Sequence, residues 1–284
     1  MTASEKSLQE VIIETIATHD VRLPVFNPVV LRLQKALHRE DVKIAEIEAM
    51  IVEDQTLASQ ILRVANAAFY RGLQQATTIR KAIIRLGIQQ VANLAMVVAQ
   101  QNLYKPGNLK FALYLKKLWQ HAFASAMASK WLAERTGYRS EADTAFLAGL
   151  LHNIGQLALL KVLEDLHANR AIMANLPENL IVELLDSDLH TSQGYALMQR
   201  WNLPDEYRDV VQNHHQDIDN ASNILLIIVR LVDQACDKIG IGLHRDPQID
   251  LAATPEAQVL GVGEIPLAEM EILLEDSVTM ASQT

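Results

Sequence analysis

Ala145-Phe-Leu-Ala-Gly-Leu-Leu-His-Asn-Ile-Gly155 is almost wholly apolar, yet it sets an imidazole beside an amide, His152 and Asn153. Apolar residues crowded on all sides of a helical stretch indicate a core helix. A polar pair inside such a helix needs a reason, because a buried polar group left without a partner costs roughly 1–3 kcal/mol. The pair therefore meets hydrogen-bond partners, holds a metal, or is the remnant of a site that once did. The functional question is which of these applies.

Outward from this stretch, helical periodicity dominates in both directions. Leu8, Ile12, Ile13 and Ile16 share one face of a first helix. Asn27 followed by Pro28 is an N-cap and first helical residue, leading into Val29, Val30, Leu33 and Leu37. Ile44, Ile47 and Ile51 mark another helix, and Asp54 caps the next, through Leu57, Ile61 and Val64. Thr78 opens a helix that Gly87 breaks or kinks. Lys105-Pro-Gly-Asn108 is the clearest turn in the first half and the expected boundary between two helical subdomains.

A long helix is predicted from about Leu109 to Thr136, with Gly137 just past its end. Ser140 or Asp143 is expected to cap the helix carrying His152. Asn175-Leu-Pro is a turn, Pro204 begins a helix reaching His214 and His215, and Asn220 or Ser222 starts the helix through Val232 and Cys236. The last 40 or so residues read as loops plus a final helix from Leu267. No alternating strand pattern appears, so the fold class is all-α. The division expected is an N-terminal lobe over 1–107, a second helical lobe over 108–240, and a 241–284 segment of loops and a final helix packing on the core.

The 284 residues are half apolar and carry a formal charge of −9. That balance opposes a general nucleic-acid binder, which needs a basic face to displace counterions from phosphates. Arg80, Lys81 and Arg85, and likewise Lys110, Lys116 and Lys117, read as solvated helix faces. The single cysteine, Cys236, allows no internal disulfide and reads as a small buried residue. The N-terminus has no apolar signal region, and no run approaches the roughly 20 apolar residues of a membrane span. The expected location is the cytoplasm, with no membrane partner.

Of the nine histidines, those at 121, 152, 190, 214 and 215 lie in or beside core-facing helices, and Asp233 joins them. Facing helices can bring such scattered residues together, and imidazole with carboxylate suits Zn, Mn, Fe or Ni. His19, His38, His167 and His244 show no arrangement and are assigned no role.

His121, the His152-Asn153 pair and Asp233 in Val229-Arg-Leu-Val-Asp233 resemble the HD superfamily of metal-dependent phosphohydrolases, whose ligands are a His, a His-Asp pair and a later Asp. His190 and His214-His215 sit where the HD-GYP branch of cyclic-di-GMP phosphodiesterases has extra histidine ligands. The Gly-Tyr-Pro signature itself is missing. Leu23-Pro-Val-Phe-Asn-Pro28, Ile51-Val-Glu-Asp-Gln-Thr-Leu57, Ile61-Leu-Arg-Val-Ala-Asn-Ala-Ala-Phe-Tyr70 and Ala82-Ile-Ile-Arg-Leu-Gly87 are similar to the HDOD domain, the HD-related output domain of bacterial signalling proteins. The resemblance covers about residues 20–235, with Gln55 where the family usually has Pro. It implies an N-terminal helical lobe packed on a degenerate HD-like lobe.

It also implies a candidate vestigial metal site of His121, His152, Asn153, His190, His214, His215 and Asp233. Charged chemistry is lost at three points. Asn153 replaces an anionic Asp that could bridge two cations, Gln156 stands where HD-GYP enzymes have Lys, and Gln216 stands where they tend to have Glu. The resemblance thus points first to a non-catalytic signalling module that binds a signalling protein or a nucleotide. The alternative is a metal-dependent phosphohydrolase acting on nucleotides or cyclic dinucleotides.

Overall fold

The computed structural model describes residues 10, 25–37, 39, 41–67, 75–169, 177–216 and 223–282. The helix expected over Leu8 to Ile16, the turn at Asn175, and His19 and His38 lie outside these residues, as do the helix starts expected at Asn220 and Ser222.

Among the described residues every regular element is helical. Five helices come first: α1 (Pro28–Leu37), α2 (Ile44–Val52), α3 (Gln55–Ala65), α4 (Ile79–Leu86) and α5 (Ile88–Leu103). A short 3₁₀ turn, Leu109–Phe111, then leads into α6 (Ala112–Arg135). The rest comprises α7 (Ala142–Leu151), α8 (Ile154–Asn169), α9 (Glu178–Asp186), α10 (Leu189–Arg200), α11 (Asp205–Asn213), α12 (Ile224–Ile239), α13 (Pro255–Leu260) and α14 (Glu264–Ala281).

Short polar side chains start several of these helices by accepting an otherwise unpaired backbone N–H. Asn27 Oδ1 accepts from Val29 N at 2.9 Å, Asp54 Oδ1 from Leu57 N at 2.9 Å, and Thr78 Oγ1 from Lys81 N at 3.1 Å. Asn27 Nδ2 also donates to Asp54 Oδ2 at 2.9 Å, which ties the start of α1 to the start of α3. Gly87, with φ +88°, ends α4 and begins α5, and the two axes meet at 119°. Gly137, with φ +86°, closes α6, and the Tyr138 N–H reaches back to the Ala133 carbonyl at 3.0 Å.

Two expected caps differ. Neither Ser140 nor Asp143 caps α7; Ser140 turns to Glu141, and Asp143 accepts from Lys130 Nζ and Asn93 Nδ2. The cap of α12 is Asn223, whose side chain accepts from Leu226 N at 3.1 Å. The basic cluster at 80–85 is held locally, Arg80 by Glu48 and Arg85 by the Ala65 carbonyl and Asn66.

His152 and Asn153 are not mid-helix. They form the joint between α7 and α8, a nearly continuous helical run over Arg139–Ala168. Contrary to the expectation from sequence, that run is long and apolar enough to cross a bilayer, but 89% of its most apolar window is buried in this protein. Its apolar residues are the core: Phe146, Leu150, Leu151, Ile154, Leu157 and Leu160 are all at most 1% exposed. Each such side chain contributes about 1.5–3 kcal/mol through burial.

Glycines set how close the neighbouring helices come. A Cβ on Gly149 would lie 2.6 Å from the Ser125 carbonyl oxygen, so α7 rests directly on the backbone of α6. A Cβ on Gly155 would lie 1.7 Å from the His190 carbonyl oxygen and 2.8 Å from Gly194 N, one turn further along the same helix. Helices α8 and α10 therefore cross glycine on glycine, and that crossing carries His190 up to the 152–153 joint. Glu164 of α8 accepts from the Gly107 and Asn108 N–H groups at 2.9 and 3.0 Å and pins the 105–108 turn. At the far end Trp119 Nε1 donates to the Ala281 carbonyl at 3.1 Å, tying α14 to α6.

Gly155→Ala is expected to destabilise the protein by about 1–3 kcal/mol or more, because the added methyl overlaps backbone that cannot move alone. Urea unfolding should show the loss. An unchanged midpoint would mean that α8 and α10 do not cross at this distance.

Candidate metal centre

Five elements supply the polar residues of the centre, of which His215 is exposed and Asn153 half-buried. His121 comes from the middle of α6, His152 and Asn153 from the α7–α8 joint, and His190 from the first turn of α10. His214 and His215 follow the end of α11, and Asp233 lies on α12. The structure brings all seven together, in two triads with Asn153 between them.

In the first triad His121 Nε2 lies 3.1 Å from His152 Nε2, and Asp233 Oδ1 lies 3.2 and 3.4 Å from the two. In the second, His190 Nε2 lies 3.3 Å from His214 Nε2 and 3.1 Å from His215 Nε2. Donors about 2.0–2.1 Å from one ion stand roughly 3.0–3.4 Å apart, so each triad has the spacing of a ligand set.

Backbone carbonyls orient the rings. His152 Nδ1 donates to Gly149 O at 2.8 Å, His190 Nδ1 to Ser187 O at 2.8 Å, and His214 Nδ1 to Val211 O at 2.9 Å. Each acceptor lies three residues earlier, and those of His152 and His214 belong to the last turn of a helix, where carbonyls lack an intrahelical partner. His121 Nδ1 donates to Ile241 O at 2.9 Å. A carbonyl only accepts, so Nδ1 carries the proton and Nε2 turns inward, the arrangement that metal-binding histidines use.

The two triads differ electrically. Burial opposes charge on His121, but the Cys236 sulfur and Asp233 outweigh it and raise the imidazole well above its ordinary range. Burial likewise opposes ionising Asp233, yet the hydrogen bonds and charges of His121 and His152 hold it well below the usual carboxylate range. The first triad thus carries its own ion pair. In the second triad burial lowers every histidine, with further repulsion among the imidazoles: His190 falls to about 4, His214 falls well below the ordinary value, and His215 falls as well. These rings are neutral near pH 7, the form that ligates metals.

Asn153 bridges the triads, with Nδ2 3.1 Å from His121 Nε2 and Oδ1 3.0 Å from His214 Nε2. An amide has a donor at one end and an acceptor at the other, and a half-turn exchanges them. Whichever way it lies, one triad meets an N–H where a bridging carboxylate would offer an oxygen. Gln156, 6% exposed, lies beside this space. Gln216 is exposed and does not line it.

Above the triads is a cavity of about 60 Å³. Its lining contains a residue that the sequence leaves without a role: His244 pairs its Nε2 with Asp186 Oδ1 at 2.5 Å. Burial raises the pKa of Asp186, and burial with the nearby Asp233 pushes Asp237 to about 6. Gly242, at φ +126°, lies against His121, since a Cβ there would lie 3.1 Å from His121 Nδ1. The signal for this approach in the sequence is Gly240-Ile-Gly242, a tight return directly after α12. His167, in contrast, packs edge-on against Phe111, away from the centre.

The HDOD domain profile matches residues 23–217, which include both triads except Asp233. An uncharacterized protein of Treponema pallidum (strain Nichols) is 26% identical over 200 residues, covering 68% of this chain and 37% of that protein, so the match spans little more than a third of the relative. An HDOD domain protein of unknown function from Geobacter sulfurreducens has the same fold, with a TM-score of 0.75 at 22% identity over 97% of this chain and 98% of that one. A Shewanella amazonensis protein proposed to be a metal-dependent phosphohydrolase matches with a TM-score of 0.68 at 20% identity, over 95% and 98% of the two chains. A Marinobacter aquaeolei protein proposed to act in signal transduction matches with a TM-score of 0.66 at 21% identity, over 99% of this chain and 62% of that one. With the profile running over most of its length and an all-α architecture shared with these structures, the chain belongs to the HDOD domain family.

Proposed function

We propose that this protein is a non-catalytic output module of a bacterial signalling system, working in the reducing cytoplasm, whose HD-type centre holds no more than one divalent ion. The observation that carries this reading is the place of Asn153. A neutral amide stands between two ligand triads, 3.1 Å from one and 3.0 Å from the other, where two cations would need a shared anion. The ion, where present, belongs to His190, His214 and His215, whose neutral rings converge with no carboxylate or proton to compensate them. Imidazole donors suit Zn, Fe, Ni or Mn. A bound ion would hold α10 and α11 together and could polarise a water. The output itself is binding of a signalling protein or a nucleotide at the helical surface.

A second reading, a metal-dependent phosphohydrolase of nucleotides or cyclic dinucleotides, draws support from the ligand-like spacing in both triads and from the activity proposed for the Shewanella relative. Three features weigh against it. Gln156 supplies no positive charge, the 60 Å³ cavity is far smaller than the roughly 300–1,000 Å³ of a small-molecule site, and Asp186 and Asp237 line its mouth where substrate phosphates would have to enter.

Elemental analysis of protein purified without chelator should find no more than one equivalent of transition metal per chain, lost in His190→Ala. Asn153→Asp should admit a second equivalent, or tighten metal binding on the order of tenfold or more. Two equivalents in the natural sequence would overturn the proposal.

Phosphate release from nucleotides and cyclic dinucleotides, assayed with added Mn, Fe, Zn or Ni, should stay at background and be the same in His121→Ala and Asp233→Ala. Metal-dependent release abolished by these two substitutions would establish the phosphohydrolase instead.

A further inference from the structure

Helix α14 has two unlike faces. Leu267, Met270, Leu274 and Ser277 are at most 4% exposed and form the side that packs on α6 and α12. Ile265 and Ile272 lie on the solvent side, 75% and 61% exposed. They stand seven residues apart, and Ala268 between them is exposed as well. Positions i, i+3 and i+7 share one stripe of a helix, so the three residues draw an apolar line along its outer side. Exposed aliphatic residues scattered singly need no explanation. A line of them with the spacing of a coiled-coil seam on an otherwise polar helix face does.

The charges beside that line narrow the partner. With Ile265 and Ile272 opening two successive heptads, the flanking positions are Glu264, Glu269, Glu271 and Asp276. Helix α14 holds these four carboxylates and Glu275, and no Lys, Arg or His. Glu269 pairs with Arg135 of α6 and Glu271 with Lys238 of α12, each at 2.7 Å. Both pairs are partly open to water and contribute little. Glu264, Glu275 and Asp276 are exposed and form no ion pair among the described residues. A second copy of α14 laid on this face would set carboxylate against carboxylate, and a nucleic acid or an anionic membrane would meet the same repulsion. A helix with its own apolar seam and Lys or Arg in the flanking positions is complementary in both respects. Glu275 and Thr279 continue the stripe in polar form, so its apolar part spans only about two turns, the scale of a transient contact.

We propose that the outer face of α14 is a docking surface for a basic amphipathic helix of a partner signalling protein. That helix lies along Ile265, Ala268 and Ile272, with its lysines or arginines against Glu264, Glu275 and Asp276. This deepens the output-module reading, on which it rests, by naming the surface and the chemistry of the partner. The inner face of α14 rests on α6 and α12, the helices that carry His121 and Asp233. A partner on α14 therefore bears on the two helices that hold the first triad.

Fluorescence anisotropy on the full chain tests this with three labelled synthetic peptides of about three heptads each. One is an amphipathic helix with Leu in the seam and Lys at the flanks, one is the same helix with Glu at the flanks, and one is a scrambled Lys peptide of identical composition. The Lys helix should bind one to one, more weakly as salt rises, and roughly tenfold or more tighter than either control. I265K/I272K and E264K/E275K/D276K should each weaken it by about tenfold or more. Because all five side chains are exposed, both variants should unfold within about 2 °C of the natural sequence. No binding of the Lys helix, equal binding of the scrambled or Glu peptide, or full affinity in either variant would each overturn the proposal. The phosphate-release assay does not involve α14, so the two readings are told apart. Background release without peptide binding discards the docking face and leaves the module, whereas metal-dependent release with specific peptide binding discards the module and leaves the face.

Discussion

The contact of Gly155 with the His190 carbonyl and with Gly194 governs the geometry around the histidine centre. Because neither glycine has a side chain, α8 and α10 meet backbone to backbone. His190 is then delivered to the joint that carries His152 and Asn153, and α11 packs behind α10 with His214 and His215 at its end. Any side chain at Gly155 would separate these elements and disperse the second triad. The close contact of α7 with α6 at Gly149 does the same for the first triad, holding His152 beside His121. Small residues at helix crossings, more than the histidines themselves, give the centre its dimensions.

Within that frame the imidazoles are oriented by backbone carbonyls, so their inward nitrogens converge. Convergence alone does not make a catalytic site. The first triad is balanced internally by the His121–Asp233 ion pair. The second contains only rings that burial and mutual repulsion keep neutral. Asn153 lies between two unlike halves and supplies no charge to either. Gly242, His244 and Asp186 line the small space that remains beside the triads. The centre is suited to holding helices together, and a larger space among the described residues lies elsewhere, between α3 and α6.

Much of the fold is legible in the residue order, for physical reasons that act over a few positions. Asn27, Asp54 and Thr78 cap helices because their short side chains reach an N–H two or three positions ahead. Gly87 and Gly137 adopt positive φ where the chain must turn. Expectation and structure part where distant partners compete. Asp143 is a good cap by type, but Lys130 and Asn93 engage it. Cys236 is the small buried residue expected, yet its sulfur also bears on His121. No apolar run in the sequence reads as long enough for a bilayer, whereas α7 and α8 join into one run, Arg139–Ala168, that is long and apolar enough and is mostly buried.

Residue order alone specifies the helical class, most helix starts and stops, and the identity of the residues that gather at the centre. Apolar periodicity and capping are local, and the order of His121, His152, Asn153, His190, His214, His215 and Asp233 resembles one family's ligand pattern. Four facts come from the packed chain and from nothing less. The centre is two triads instead of one, Asn153 stands between them, His244 and Asp186 pair beside the cavity, and Arg63, Lys105 and Lys116 share a groove. Each depends on helices remote in sequence approaching to within a few ångströms. That distance is set by the glycines and core side chains at their crossings, and a one-dimensional pattern carries no direct measure of it.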